Sequence, residues 1–465
     1  MPRLPGCTSS THGRTRCPRG CQAQAQSRFG LRTIAATGKT QVNAVSSSSA
    51  LRRLAAPGLV LLMTVAIVLW AWPESLPLWR SVAIVSAWAG SGLLAASLLL
   101  MVREPHLAQL LGGLENMYRW HHRSGILAYV LLLCHPLALT LDSWLESPQL
   151  AWQMLAPWAH SWPVWLGWAA LLLLMFGLSV TFVLRLPYRL WRHLHFSLGL
   201  GVLLGLAHVY ALLGGVTLLL VLLVAAALAL GWRLIASDLG VAAHPYRVTQ
   251  VSHPSGASIE IRLAPCAGSL AVSPGQFVLA AFNDGPHFHG CGEYHPFSVS
   301  AIHADHSLSL NIKAFGPCTQ KLQQLETDVL VRLQGPFGIF LDSLPAAPQL
   351  WVAGGIGITP FIAELRAHPR SQPTTLLYLF RNAAEAAFLD ELTALSTADP
   401  KFELLAQAGE RGLPDFAAML EKIGQLQARV VYICGPAPMV NALLPHLQQA
   451  GISDTAIHFE KFDFR

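Results

Sequence analysis

Hydrophobic and polar positions divide this chain into two regimes. From residue 54 to 235 apolar residues run almost unbroken, and Asp, Glu and Lys are nearly absent. Six runs fall near 54–72, 82–102, 121–141, 163–184, 194–213 and 215–235. Each is close to the roughly 20 residues a helix needs to cross a bilayer. From about residue 244 the pattern turns to short alternating segments with turn residues between them. YRVTQVS, ASIEIRLAP and FVLAAF read as strands. Farther on, LWVAGGIGITPFIAEL and TTLLYLFRNAAEAAFLDEL each read as strand, turn and helix. The pattern predicts a membrane half followed by a soluble half. Residues 1–50 are rich in Ser, Thr, Gln, Arg and Gly, and are predicted to be a disordered basic tail.

Composition sharpens the division. Hydrophobic residues make up 53% of the 465, and charged residues only 12%, about half the usual share. The net charge of +6 comes mostly from Arg, and its placement reads as a topology signal. Arg52, Arg53, Arg103, Arg119, Arg123, Arg185, Arg189, Arg192 and Arg233 fall on one side of the six spans, and Arg80 alone on the other. Trp70, Trp72, Trp79, Trp144, Trp158 and Trp162 form an aromatic belt at that second boundary. The protein is therefore expected in the cell (inner) membrane, with both termini and the soluble half cytoplasmic. No motif or basic stripe supports nucleic-acid binding. The eight Cys lack iron–sulfur spacing, and the soluble half is expected to hold free thiols in a reducing compartment.

Ionisable groups inside spans are costly and mark function. In the third run, His121 and His135 lie 14 residues apart, about 40° short of four full helical turns, so they share a face. Their Cα atoms are about 21 Å apart along the axis, one toward each leaflet. In the fifth run, His195 and His208 lie 13 apart. That places them about 140° out of alignment in an ideal helix. A local distortion is expected there, and Gly199, Gly201 and Gly205 permit one. Two helices with an inner and an outer His each can hold two stacked haems, His121 with His195 and His135 with His208. Taken singly, each His reads as structural, and His106, His160 and His193 are left in that class. His122 is the rival of His121. Zinc is the weaker alternative, because the pairs are too far apart for one tetrahedral site.

In the soluble half, PGQF, His295-Pro296-Phe297-Ser298 and GPFG follow one another. This order resembles the flavin domain of the ferredoxin–NADP reductase family. Its Arg-x-Tyr-Ser motif takes the form His-Pro-Phe-Ser in the NADPH oxidase and ferric reductase superfamily. The resemblance implies a small antiparallel barrel with Phe297 and Ser298 on the isoalloxazine of FAD and His295 near it. The stretch from Lys313 through Gly316 to Thr319 resembles the family's pyrophosphate site. Gly354, Gly355, Gly357 and Thr359 form a GGxGxTP turn resembling the family's nicotinamide dinucleotide site. Arg381 follows the next strand, where family members bind the 2′-phosphate of NADPH; a surface Arg is the alternative. Cys434 and Gly435 match the family's Cys-Gly-Pro turn, with Cys434 implied near the nicotinamide C4. In the terminal IHFEKFDFR, Glu460-x-Phe462 matches the family's aromatic over the flavin, with Phe464 second. Tyr118-x-x-His121 with Gly125 resembles the third span of bacterial NADPH oxidase-like proteins.

The resemblance covers about residues 54–465. It implies a six-helix transmembrane bundle of ferric reductase-like type, then an antiparallel β-barrel FAD domain and an α/β nucleotide-binding domain. The expected boundaries are 51–238, 239–345 and 346–465. The expected function is transmembrane electron transfer. It runs from cytosolic NADPH, with NADH also possible, via FAD and two b-type haems to an external acceptor. That acceptor is dioxygen, a ferric chelate or a protein. A membrane-anchored flavin reductase and a haem-free, flavin-sensing membrane protein are the alternatives.

Overall fold

The computed structural model describes residues 37–182, 186–342, 344–409 and 414–461. Helix α1 (Thr37–Trp70) ends in the apolar stretch Leu54–Trp70, and α2 (Leu78–Leu100) follows. The short α3 (Pro105–Leu110) begins with the Glu104 carboxylate accepting from the Leu107 N–H at 2.7 Å, a side-chain cap that satisfies an orphan donor. It turns the chain into α4 (Leu114–Trp144). After α5 (Pro148–Leu155) come α6 (Trp162–Phe182), α7 (Tyr188–Leu212) and α8 (Thr217–Gly231). Among the described residues, α2, α4, α6, α7 and α8 with its extension to Asp238 are long and apolar enough to cross a membrane. Leu54–Trp70, the first of the six apolar runs, is shorter.

α8 widens into a π-helix over Trp232–Asp238. That winding repeats near five residues, and it sets Arg233 against Asp238 in an ion pair of 2.9 Å. Arg103 approaches the same carboxylate at 3.8 Å, and donates from Nε to the Tyr118 hydroxyl at 2.6 Å.

The barrel follows. Strands β1 (His244–Ser255), β2 (Ser258–Pro265), β3 (Phe277–Phe282), β4 (His295–Ile302) and β5 (Leu308–Lys313) precede helix α9 (Pro317–Leu322) and strand β6 (Leu330–Phe337). They close in the order β1-β2-β5-β4-β3-β6, every neighbour antiparallel. Strand β3, sequence FVLAAF, is buried along its whole length. Val278, Ala280 and Phe282 point into the barrel core, whereas Phe277 and Leu279 pack with Phe337 on Leu111, Leu114 and Met117 of the helical bundle. A strand covered on both faces has no polar positions, which is why this run does not alternate. Two hydrogen bonds close the junction. Gln334 Nε2 donates to the Ser237 carbonyl at 2.5 Å, and Arg332 Nη1 to the Leu239 carbonyl at 2.9 Å.

The last unit alternates strand and helix: β7 (Gln349–Gly354), α10 (Thr359–Ala367), β8 (Thr374–Phe380), α11 (Leu389–Ala398), β9 (Phe402–Ala408), α12 (Phe416–Ile423), β10 (Val430–Gly435), α13 (Ala437–Gln449) and β11 (Ile457–Lys461). The sheet is parallel in the order β11-β10-β7-β8-β9. Its strand order reverses between β7 and β10, the crevice where open parallel sheets take ligands.

The sulfurs of Cys291 and Cys318 are within bonding distance, their Cα atoms 5.8 Å apart. The expectation of free thiols is corrected for this pair, because the closed barrel brings together two segments distant in sequence. Cys134, Cys266 and Cys434 are free.

Because Phe277 joins barrel to bundle, Phe277→Ala is expected to cost about 3–5 kcal/mol. It should also open new protease cleavage near residue 240. A digestion pattern identical to the parent's would place Phe277 outside the junction.

Candidate functional site

The four intramembrane imidazoles are held in one way. On α4, His121 Nδ1 lies 2.9 Å from the Ser97 carbonyl and 2.8 Å from the Ser97 hydroxyl, and His135 Nδ1 lies 2.9 Å from the Ala83 carbonyl, all on α2. On α7, His195 Nδ1 lies 3.1 Å from Thr181 Oγ1 and His208 Nδ1 lies 2.7 Å from the Pro163 carbonyl, both on α6. A carbonyl can only accept, so Nδ1 carries the proton at His121, His135 and His208. Thr181 donates its own proton to the Gly177 carbonyl at 2.8 Å, which leaves its oxygen to accept from His195. In each neutral ring the Nε2 lone pair is then available. Among the described residues, no hydrogen bond reaches any of these four Nε2 atoms.

The rings form two pairs. His121 and His195 meet edge-on, ring centroids 6.4 Å apart and planes at 70°. His195 is stacked on Trp191 at 4.9 Å. His135 and His208 reach the N-terminal parts of their neighbouring helices, at Ala83 and Pro163. Gly167 is required at the second pair, because a Cβ there would sit 2.9 Å from His208 Cε1. His122 is exposed. The expected break in the fifth span does not occur, since α7 is one continuous helix and both of its imidazoles reach α6. Ser97, Thr181, Ala83, Pro163 and Gly167 went unnoticed in the sequence. Main-chain acceptors and a missing side chain leave no motif.

In the barrel, His295, Pro296, Phe297 and Ser298 open β4, with Phe297 in the core and the other three part-buried. Burial holds the His295 imidazole below its ordinary pKa, and Glu293 at 3.8 Å works in the opposite direction. Thr319 accepts the N–H groups of both Phe315 and Gly316 at 2.9 Å, so these two donors are already engaged. Lys313 is paired with Glu385 at 2.8 Å. Phe315, beside them, is 93% exposed.

At the sheet crevice, Gly354 ends β7 and Gly355 has φ +55°. Gly357 lies so close to the Cys434 carbonyl that a Cβ would collide with it. Close approach of β7 and β10 accounts for this glycine. Thr359 is 1% exposed, and its hydroxyl donates to the Ile356 carbonyl at 2.7 Å, so the side chain serves the turn. Arg381 is exposed just beyond β8. Cys434 is wholly buried, and burial pushes its thiol well above its ordinary pKa. It is therefore neutral at pH 7. Glu460 stands opposite it in the β10–β11 register. Burial, with Glu115 of α4 adding repulsion, pushes that carboxyl up to about 8. Phe462 and Phe464 lie outside the described residues.

Comparison with known proteins agrees with this arrangement. Residues 86–206 match the family described as ferric reductase like transmembrane component, a stretch that includes His121, His135 and His195 and ends just before His208. Residues 351–444 match the oxidoreductase NAD-binding domain. The toluate 1,2-dioxygenase electron transfer component of Pseudomonas putida is 27% identical over 205 residues, 42% of this chain and 59% of that one. The flavohemoprotein of Rhizobium meliloti (strain 1021) is 30% identical over 148 residues, 28% of this chain and 36% of that one. This chain thus covers less than two thirds of either relative. The flavohem-like FAD/NAD binding domain of nitric oxide dioxygenase from Vibrio cholerae O1 biovar El Tor aligns at 20% identity with a TM-score of 0.41. That alignment covers 47% of this chain and 98% of that one. The chain thus joins a stretch that matches the ferric reductase like transmembrane component to one that matches the oxidoreductase NAD-binding domain.

The Glu460 carboxyl gives a pH prediction. Its pKa rises from 4.5 to about 8 on folding, so the folded chain holds the proton more tightly than the unfolded one. Stability is greatest below the unfolded value and falls as pH climbs through 8. Glu460→Gln should flatten the decline in melting temperature between about pH 5 and pH 8. Parallel declines in parent and variant would show that Glu460 does not titrate there.

Proposed function

We propose that this protein carries electrons from cytosolic NADPH through FAD and two b-type haems to an acceptor outside the cell membrane, dioxygen or a ferric chelate. The spans number six, with both termini and the soluble units cytoplasmic. The domains run 51–238 for the haem bundle, 239–345 for the flavin barrel and 346–465 for the nucleotide unit.

The observation that carries the reading is the set of four imidazoles with protonated Nδ1 and open Nε2. Metal-ligating histidines are typically fixed in this way by their other ring nitrogen. The rings fit haem iron. The His121 and His195 rings stand with centroids 6.4 Å apart, close enough that their open nitrogens would ligate one metal ion. His121 and His195 would hold the inner haem and His135 and His208 the outer one. Bound there, two haems supply one-electron steps across the bilayer, and the flavin converts the two-electron donor into them.

The chain's own residues do the rest. Ser97, Thr181 and two main-chain carbonyls orient the rings. The packed face of β3 keeps the flavin barrel against the end of the bundle that holds the inner pair. Phe297 and Ser298 meet the isoalloxazine, with His295 and Pro296 beside them and Lys313, Gly316 and Thr319 near the pyrophosphate. Gly354, Gly355, Gly357, Thr359 and Gly435 shape the crevice for the nicotinamide nucleotide. Cys434 supports the ring as a neutral thiol, and Phe462 covers the flavin. Arg381, exposed and forked, suits a 2′-phosphate.

An anaerobic absorption spectrum before and after NADPH tests the scheme. Two b-type haems per chain should become reduced. Flavin bleaching without haem bands would overturn it. His135→Ala or His208→Ala should remove one haem and abolish external transfer, with flavin reduction intact. Arg381→Ala should raise KM for NADPH about tenfold to a hundredfold and leave KM for NADH nearly unchanged. Equal effects would reject Arg381 as the phosphate contact.

A further inference from the structure

The Cys291–Cys318 pair does not stand alone. Cys318, Glu293 and His295 each offer a ligand atom, and these atoms lie within 4.8 Å of one another. The Cys291 sulfur touches that of Cys318. His295 Nε2 is buried without a hydrogen-bond partner and faces Glu293 Oε2 at 3.8 Å. Three of these residues come from the segment Cys291–His295 that leads into β4, and the fourth from α9 across the barrel mouth. A Cα separation of 5.8 Å suits a disulfide. The same separation lets two thiolates share one metal after a small side-chain rotation. Ligand atoms around tetrahedral zinc lie roughly 3.3–3.8 Å apart, given bonds of about 2.0–2.3 Å.

We propose that, in the dithiol form, Cys291, Cys318, His295 and Glu293 bind one zinc ion. Two sulfurs, one imidazole and one carboxylate are a donor set that selects zinc over hard cations such as magnesium or calcium. Binding releases the two thiol protons and transfers no electrons. The ion clamps the β3–β4 loop to α9 where a disulfide would be reduced. That consequence rests on the cytoplasmic orientation proposed above; the site itself does not.

The test uses the full-length protein in detergent, reduced with a phosphine, stripped with chelator, incubated with Zn2+ and gel-filtered. One zinc per chain is expected by elemental analysis, and Zn2+ should protect both Cys291 and Cys318 from iodoacetamide, read by peptide mass spectrometry. The Cys291→Ser/Cys318→Ser protein should lose that zinc. The Cys7→Ser/Cys17→Ser/Cys21→Ser protein should retain it. Zinc retained equally by the Cys291→Ser/Cys318→Ser protein, or alkylation of both thiols at the same rate with and without Zn2+, would overturn the site. Neither readout depends on haem, flavin or turnover, so this proposal and the electron-transfer reading fail separately.

Discussion

A neutral imidazole inside hydrocarbon must place its one N–H on an acceptor, and in an α-helix the carbonyls nearby are already engaged. Each of the four intramembrane histidines meets this demand on the neighbouring antiparallel helix: α2 serves α4, and α6 serves α7. Those bonds fix the rotation of α4 and α7 about their own axes. They also leave the four Nε2 atoms without a hydrogen bond among the described residues. The helix pairing, the glycine at 167 and the register of both hairpins follow from that demand.

The same economy shapes the contact between membrane and soluble halves. Strand β3 belongs at once to the barrel core and to the foot of the bundle. The π-helix after α8 supplies an ion pair, and its Ser237 carbonyl accepts from the barrel. At the other edge, Glu460 of β11 feels the charge of Glu115 at the start of α4. Both soluble units therefore meet the end of the bundle where His121 and His195 lie.

Much of this was legible in the sequence. Long apolar runs announced the helices, and the reversal from continuous to alternating pattern announced the barrel. FVLAAF read as a strand, although its second covered face showed only in three dimensions. The histidines were legible as pairs because intramembrane imidazoles are rare. The 13-residue spacing misled, because helical phase fixes the direction of Cα–Cβ while two side-chain torsions still carry the ring. Gly357 and Thr359 sit where the Gly-rich pattern put them, but contacts within the protein already account for both. The pairing of Cys291 with Cys318 depended on barrel closure, which no local pattern encodes.

The acceptors behind the rings differ in one respect. His135 and His208 bond only to main-chain carbonyls, at Ala83 and Pro163, whereas His195 depends on the hydroxyl of Thr181. Substitution at 83 or 163 leaves a carbonyl in place, so the bonds of His135 and His208 are insulated from the drift of side chains around them. A single base change at codon 181 can delete the acceptor of His195, whereas His121 keeps the Ser97 carbonyl. Substitution can therefore alter the hydrogen bond to His195 one residue at a time while those to His135 and His208 stay constant.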